Sequence, residues 1–156
     1  MARIPVDVSR WPLFVARFPR EGVDEVDVLN FYGRWEEEMA KRGRHAALID
    51  MRQMSPLVVS PKLRRFAADQ VVKRATLWND YLVAEARVVD NIVARGVVTA
   101  FDWLVASSQL VRAHRNMVSE ADAEAWLLGE LAKADVVAAR LLGEKPAPGD
   151  RSLRQL

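Results

Sequence analysis

The length, composition and charge of the chain are those of a single globular domain. It has 156 residues, of which 51% are hydrophobic and 28% are charged, so it can bury a proper core. The absence of cysteine excludes disulfides and thiolate chemistry and is typical of a cytoplasmic protein, while a net charge of +2 spread through the chain does not indicate nucleic-acid binding. We predict no signal peptide and no transmembrane segment, because no apolar run is long enough.

Two strands and a helix are predicted at the start of the chain. Residues 4–8 alternate weakly and include a proline, which is typical of an edge strand, and residues 11–18 are rich in aromatic and branched side chains. Residues 24–41 then form a helix that Asp24 caps. The acidic run 36–38 points in different directions around this helix, so we interpret it as a solvated face rather than a paired acid/base site.

The most informative stretch is Ala46–Ile49, with the loop and helix that follow it. This short apolar run, bounded by polar residues, is typical of a strand covered on both faces in a parallel sheet. Ser60 as an N-cap and Pro61 at the first helical position predict a helix over residues 61–80. Ligands of open α/β sheets bind beyond the carboxyl ends of the strands, so we expect Asp50 through Ser60 to lie at the functional edge.

The second half of the chain continues the alternation of strands and helices. Residues 82–89 are predicted as a strand, although their Ala, Glu and Arg content leaves a helix open. A helix over 91–106 that is apolar on two faces, a strand over 111–117 and a helix over 119–143 follow, and the Pro- and Gly-rich residues 144–156 are expected to form a disordered tail. The prediction is one α/β domain, residues 1–143, with a mixed, mostly parallel sheet of about five strands and about four helices in the order ββαβαβαβα.

This order of elements resembles the STAS domain family (sulphate transporter and anti-sigma antagonist), which is also similar to the lipid-binding CRAL-TRIO-type fold. Three stretches carry the resemblance: LIDMRQMSPLVVSP at the central strand, VVDNIVARGVVTAFDWL around the third helix and SEADAEAWL at the start of the last helix. They are similar to segments of bacterial STAS-like proteins, and the resemblance covers residues 4–143. It implies a non-enzymatic regulatory domain of the anti-sigma-factor-antagonist type, which acts by binding another protein.

The resemblance also makes Ser60 a candidate phosphorylation site. The regulatory serine of the family follows an aspartate at a strand end by a loop of similar length to the one that separates Asp50 from Ser60. The family usually has Asp-Ser or Ser-Ser followed by Gly, whereas Ser60 lies between Val59 and Pro61. A phosphate would be favourable at a helix N-terminus, but a role as N-cap alone also accounts for this serine.

The first functional hypothesis is a protein-interaction module that docks an acidic partner through the 53–60 loop and the basic helix after it. The residues predicted to bind the partner are Gln53, Ser55, Ser60, Lys62, Arg64 and Arg65. Exposed helices are routinely charged, so a plain solvated face is the alternative interpretation of these cations.

The second hypothesis is a carrier or sensor of a small apolar, lipid-like ligand, because the third and last helices carry more apolar surface than one sheet face needs. The same surplus predicts a homo-oligomer with an interface at Val93, Val97 and Phe101. No enzyme, metal or cofactor is predicted, since His45 and His114 are isolated and no phosphate-binding glycine loop is present. The five tryptophans are interpreted mostly as core residues.

Overall fold

The computed structural model describes residues 3–55, 58–106, 110 and 112–134. Its elements follow the predicted order ββαβαβαβα, which confirms the α/β fold class. Their bounds are β1 (Val6–Asp7), β2 (Leu13–Arg17), α1 (Glu25–Arg42), β3 (His45–Asp50), α2 (Pro61–Tyr81), β4 (Leu82–Val88), α3 (Ile92–Val105), β5 (Ala113–Met117) and α4 (Glu120–Lys133).

The five strands form one sheet in the order β1-β2-β3-β4-β5. The first pair is antiparallel and the other three pairs are parallel, so the sheet is mixed and mostly parallel. Every residue of β3 is buried, and this strand occupies the middle of the sheet, as its short apolar sequence predicts. The ambiguous stretch after α2 is a strand, because β4 pairs with β3 and β5 along its length.

Side chains at the helix starts satisfy the amide groups that have no partner within the helix. Asp24 and Asp27 form a reciprocal capping box at the start of α1. The Ser60 hydroxyl accepts a hydrogen bond of 3.1 Å from the amide of Leu63 in α2, and Asn91 caps α3 in the same way. Local sequence signals therefore set where these helices begin.

The two faces of the sheet are covered differently. On one face α4 lies across β3 and β4, where Leu127 and Leu131 pack on the small side chains of Ala84 and Ala86. On the other face lie α1 and α2, with α3 packed against α2. Side chains alternate between the faces along a strand, so Glu85 points away from α4, toward the face that carries three helices.

One expectation about exposure is wrong, and the expectation that the tryptophans are mostly core residues holds with one exception. Glu38, in the acidic run of α1, is buried and pairs with Arg34 and Arg42 at 2.8 Å each, because it lies on the turn between these cations. Trp103 is 77% exposed on α3, whereas Trp78 is buried as expected. The exposed tryptophan belongs to the outer stripe of a helix that has two apolar stripes but only one covered side.

The second half of the long predicted helix and the tail over 144–156 lie outside the described residues. Among the helices within residues 3–134 that the structure describes, none combines the length and the apolar character that crossing a bilayer requires.

Candidate ligand-binding site

A cavity of about 110 Å³ lies between the sheet and the three helices α1, α2 and α3. All three helices, strands β3 and β4 and the loop after β3 contribute to its wall. Its lining residues are Phe18, Val23, Val28, Phe31, Tyr32, Trp35, Ile49, Met51, Met54, Val59, Leu63, Arg64, Ala67, Val71, Trp78, Glu85, Arg87, Val97, Val98, Phe101 and Arg112. The wall is mainly apolar and aromatic with a few polar groups, which is the usual composition of a small-molecule site.

Aromatic rings form the inner wall of the cavity. The ring centroids of Trp35 and Trp78 are 4.7 Å apart, and those of Tyr32 and Trp78 are 5.3 Å apart in an edge-on arrangement. Phe31 packs at 5.6 Å from Trp35. Such contacts hold the rings in fixed orientations, so this wall is preorganised.

A chain of ion pairs supplies most of the charged groups of the wall. Glu85 accepts hydrogen bonds of 2.7 Å from both Arg87 and Arg112, and Arg87 also pairs with Asp102 of α3. Burial alone would raise the pKa of Glu85, but the two adjacent guanidinium groups outweigh burial and hold this pKa below its usual value. We call Arg112, Glu85, Arg87 and Asp102 the buried ion-pair chain.

The two indoles of the inner wall differ in their hydrogen bonding. Trp35 donates from Nε1 to His45 Nε2 at 2.7 Å, whereas Nε1 of Trp78 has no hydrogen-bond partner among the described residues. Arg74 Nε also lacks a well-directed hydrogen bond but lies 2.6 Å from the Glu36 carboxylate, so we regard it as paired. An indole N–H can only donate, so Trp78 presents a donor that needs an acceptor.

The residues predicted to bind a partner do not form one continuous surface. Gln53 is exposed in the loop after β3 and Ser55 is partly buried. Ser60 is exposed and caps α2, and Lys62 pairs with Glu25 at 3.2 Å. Arg65 is exposed as well, whereas Arg64 is partly buried and lines the cavity.

The predicted oligomer residues also separate into two groups. Val97 and Phe101 are partly buried and line the cavity, so they face the interior of the domain. Val93 is 56% exposed and shares the outer side of α3 with Ile92 and Trp103. A helical repeat places these residues in stripes but does not tell which stripe the rest of the chain covers.

Asp50, expected at the functional edge, belongs to a network of ion pairs with Arg17, Arg52 and Glu120. Arg17 and Arg52 each lie 2.8 Å from the Asp50 carboxylate, and they contact Glu120 at 2.7 Å and 2.6 Å. Hydrogen bonds, first from Arg52, lower the pKa of Asp50. This network joins the carboxyl ends of β2 and β3 to the start of α4, which is a structural role.

Sequence reasoning missed Glu85, Arg87, Asp102 and Arg112, the members of the buried ion-pair chain. One signal was available, since opposite charges two residues apart in a strand covered on both faces must lie side by side in the core. Their partners are distant in the sequence and could not be found from local spacing.

Among the residues that the structure describes, no group of three or more His, Asp or Glu side chains could hold a metal ion. The chain matches no protein-family model, no curated protein and no solved structure. The resemblance to STAS domains therefore stays a prediction that rests on the order of elements and the three quoted stretches.

Proposed function

We propose that this chain binds a small, mostly apolar molecule in the cavity between the sheet and helices α1 to α3, as a carrier or sensor. The observation that carries the proposal is an aromatic-lined cavity of about 110 Å³ with a few inward polar groups. Ligand atoms that fill this space supply the van der Waals contacts that the lining side chains otherwise lack.

The size of the cavity limits the buried part of the ligand. An engineered apolar cavity of about 150 Å³ is known to accept benzene, so a space of about 110 Å³ suits one small ring or a short aliphatic group. A longer ligand would have to extend past the partly buried side chains of Val23, Val59 and Arg64 toward the surface. The full acyl chain of a typical lipid is larger than this space.

The proposal is binding without catalysis. No serine, threonine, cysteine, lysine or histidine is found among the described residues that line the cavity. Its single carboxylate, Glu85, is held by Arg87 and Arg112, and these ion pairs stabilise its charged form rather than freeing it to transfer protons.

A cavity-filling variant tests the proposal. Ala67 of α2 lines the cavity, and we expect Ala67→Leu to occupy it with extra methyl groups. Titration with toluene, followed by amide and indole NMR signals, should give saturable shifts at cavity residues in the wild type and binding at least about tenfold weaker in the variant.

The matched control is Ala125→Leu, which adds the same atoms at an exposed site on α4. It should bind toluene like the wild type. Filling a cavity commonly stabilises a protein by about 0.5–2 kcal/mol, so a folded Ala67→Leu variant is expected. Equal toluene binding by both variants, or none by the wild type, would refute the proposed site.

A second candidate function is the docking of an acidic protein partner, as in a STAS-type regulatory domain. One observation supports it: Arg65 is exposed on α2, and within the described residues no ion pair involves its side chain. Reversal of this charge in Arg65→Glu should weaken capture of an acidic partner, whereas Lys133→Glu on α4 should not. Arg64 is unsuitable for this test because it also lines the cavity.

Self-association and phosphorylation belong to the same regulatory proposal. The outer side of α3, with Ile92 83% exposed, supports a homo-oligomer formed around Val93. Sedimentation at monomer mass over a wide concentration range would exclude a homo-oligomer.

Phosphorylation of Ser60 would place negative charge at the start of α2, and a helix N-terminus favours anions. Phosphopeptide mass spectrometry of the cellular protein tests this step.

A further inference from the structure

We propose that the ligand is a neutral ring compound with a hydrogen-bond acceptor, and that Trp78 donates its indole N–H to that acceptor. This inference rests on the proposed function and adds the chemical class of the ligand. It is carried by the unpaired indole, by the polar groups beside it and by the balance of charge around the cavity.

Trp78 is the lining side chain whose buried polar atom has no partner among the described residues. It is only 2% exposed, lines the cavity and has no acceptor for Nε1 among the described residues. Leaving a buried donor unsatisfied costs free energy, because water solvated it in the unfolded chain. A ligand that supplies an acceptor removes this cost, whereas a pure hydrocarbon leaves it in place.

The neighbouring indole shows that this fold can pair a buried indole. The ring of Trp35 packs against that of Trp78 with centroids 4.7 Å apart, yet its own Nε1 is satisfied by His45 at 2.7 Å. Both indoles line the cavity, so the missing acceptor is particular to Trp78. Beside Trp78, burial raises the pKa of Tyr32, so this phenol stays neutral and keeps a hydroxyl that can both donate and accept.

The paired charges of the buried ion-pair chain favour a neutral ligand beside it. The buried ion-pair chain contains two arginines and two carboxylates, and each of its cations already contacts an anion. An added carboxylate would be desolvated without a free countercharge there, which is costly in a dry site. An anionic ligand would instead place its charge near Arg64, which is partly buried and also lines the cavity.

Three ring compounds of similar size separate these possibilities. Cyclohexanone carries an acceptor, methylenecyclohexane has the same shape without one, and cyclohexanecarboxylate is an anion. We expect cyclohexanone to bind about tenfold more tightly than methylenecyclohexane, which corresponds to one hydrogen bond of ordinary net strength. We also expect it to bind more tightly than the carboxylate.

The indole signals give a direct readout in the unmodified protein. The chain has five tryptophans, so at most five indole N–H signals need assignment. Cyclohexanone should shift the Trp78 indole proton downfield, as a new hydrogen bond does, and methylenecyclohexane should not. Trp78→Phe should lose about tenfold in affinity for the ketone alone, while Trp103→Phe, at an exposed site, should bind both compounds like the wild type.

The outcomes distinguish failure of this inference from failure of the proposed function. Equal binding of ketone and alkene, without a selective indole shift, would overturn the inference and leave the apolar cavity as a ligand site. Tighter binding of the carboxylate would overturn the neutral class. Binding of none of the three compounds would overturn the inference and the proposed function together.

Discussion

His45, at the first position of β3, is a buried and fully bonded side chain rather than a site for chemistry. Its Nε2 accepts from Trp35, and its Nδ1 lies 3.3 Å from the carbonyl oxygen of Gly43. This arrangement suits a neutral ring with the proton on Nδ1. Burial penalises the charged ring and lowers the pKa of His45 to about 3.

The buried histidine makes stability depend on pH. In the unfolded chain its pKa is about 6.5, so between pH 6.5 and pH 3 the unfolded state binds one proton more than the folded state. The contribution of His45 is therefore complete above pH 6.5 and is lost as the pH falls, by up to about 1.4 kcal/mol per unit. Urea unfolding between pH 7 and pH 5 should show this slope in the wild type and a smaller slope in His45→Gln.

His114 provides the matched control for that measurement. It is the only other histidine of the chain and is exposed on β5. His114→Gln should keep the wild-type dependence on pH, whatever its absolute stability. If His45→Gln also kept the wild-type slope, the assignment of a neutral buried ring would be wrong.

Glu85 is the single carboxylate between two buried guanidinium groups, and its charge is needed to hold them. Glu85→Gln keeps the shape of the side chain but leaves Arg87 and Arg112 without their shared anion. Breaking a buried pair in this way typically costs about 3–5 kcal/mol of unfolding free energy, which denaturant titration measures. Glu130→Gln, which breaks an exposed pair with Lys133, should cost less than about 1 kcal/mol; similar losses in the two variants would contradict this account.

At the scale of elements, the N-terminus of α2 depends on one serine. Ser60→Ala removes the acceptor for the Leu63 amide, so we expect a loss of about 1 kcal/mol in unfolding free energy. Ser60→Asp keeps an acceptor and adds a favourable negative charge at the helix start, so it should be close to the wild type. A Ser60→Ala variant as stable as the wild type would show that the cap contributes little to stability. The serine would then not be explained as an N-cap, which would favour the phosphorylation hypothesis.

The elements were predictable because their signals are local. Asp24, Ser60 and the residue after Asp90 each cap a helix, and the apolar run before Asp50 is the covered middle strand. The sequence does not predict which apolar stripe of a helix packs against which other element of the fold. Phe101 was expected at an interface between copies but lines the cavity, because only the packing of α3 on α2 decides its surroundings.

At the scale of the whole molecule, the cavity arises from the uneven covering of the sheet. One helix, α4, covers the face where β4 presents Ala84 and Ala86, and these small side chains let it pack closely. The opposite face must accommodate three helices, a layer of aromatic rings and the buried ion-pair chain. Large rigid rings cannot fill every gap in this layer, so a cavity remains. Because the cavity depends on how several elements pack, no local sequence pattern predicts it.

The most direct test of the ligand site is a crystal structure of the chain grown in the presence of toluene, with Ala67→Leu crystallised under the same conditions. We expect a planar ring in the wild-type cavity against Trp78, with the sheet and helices unchanged, and the added leucine side chain in its place in the variant. A wild-type cavity closed by its own side chains, or a ring bound only elsewhere on the molecule, would contradict the account.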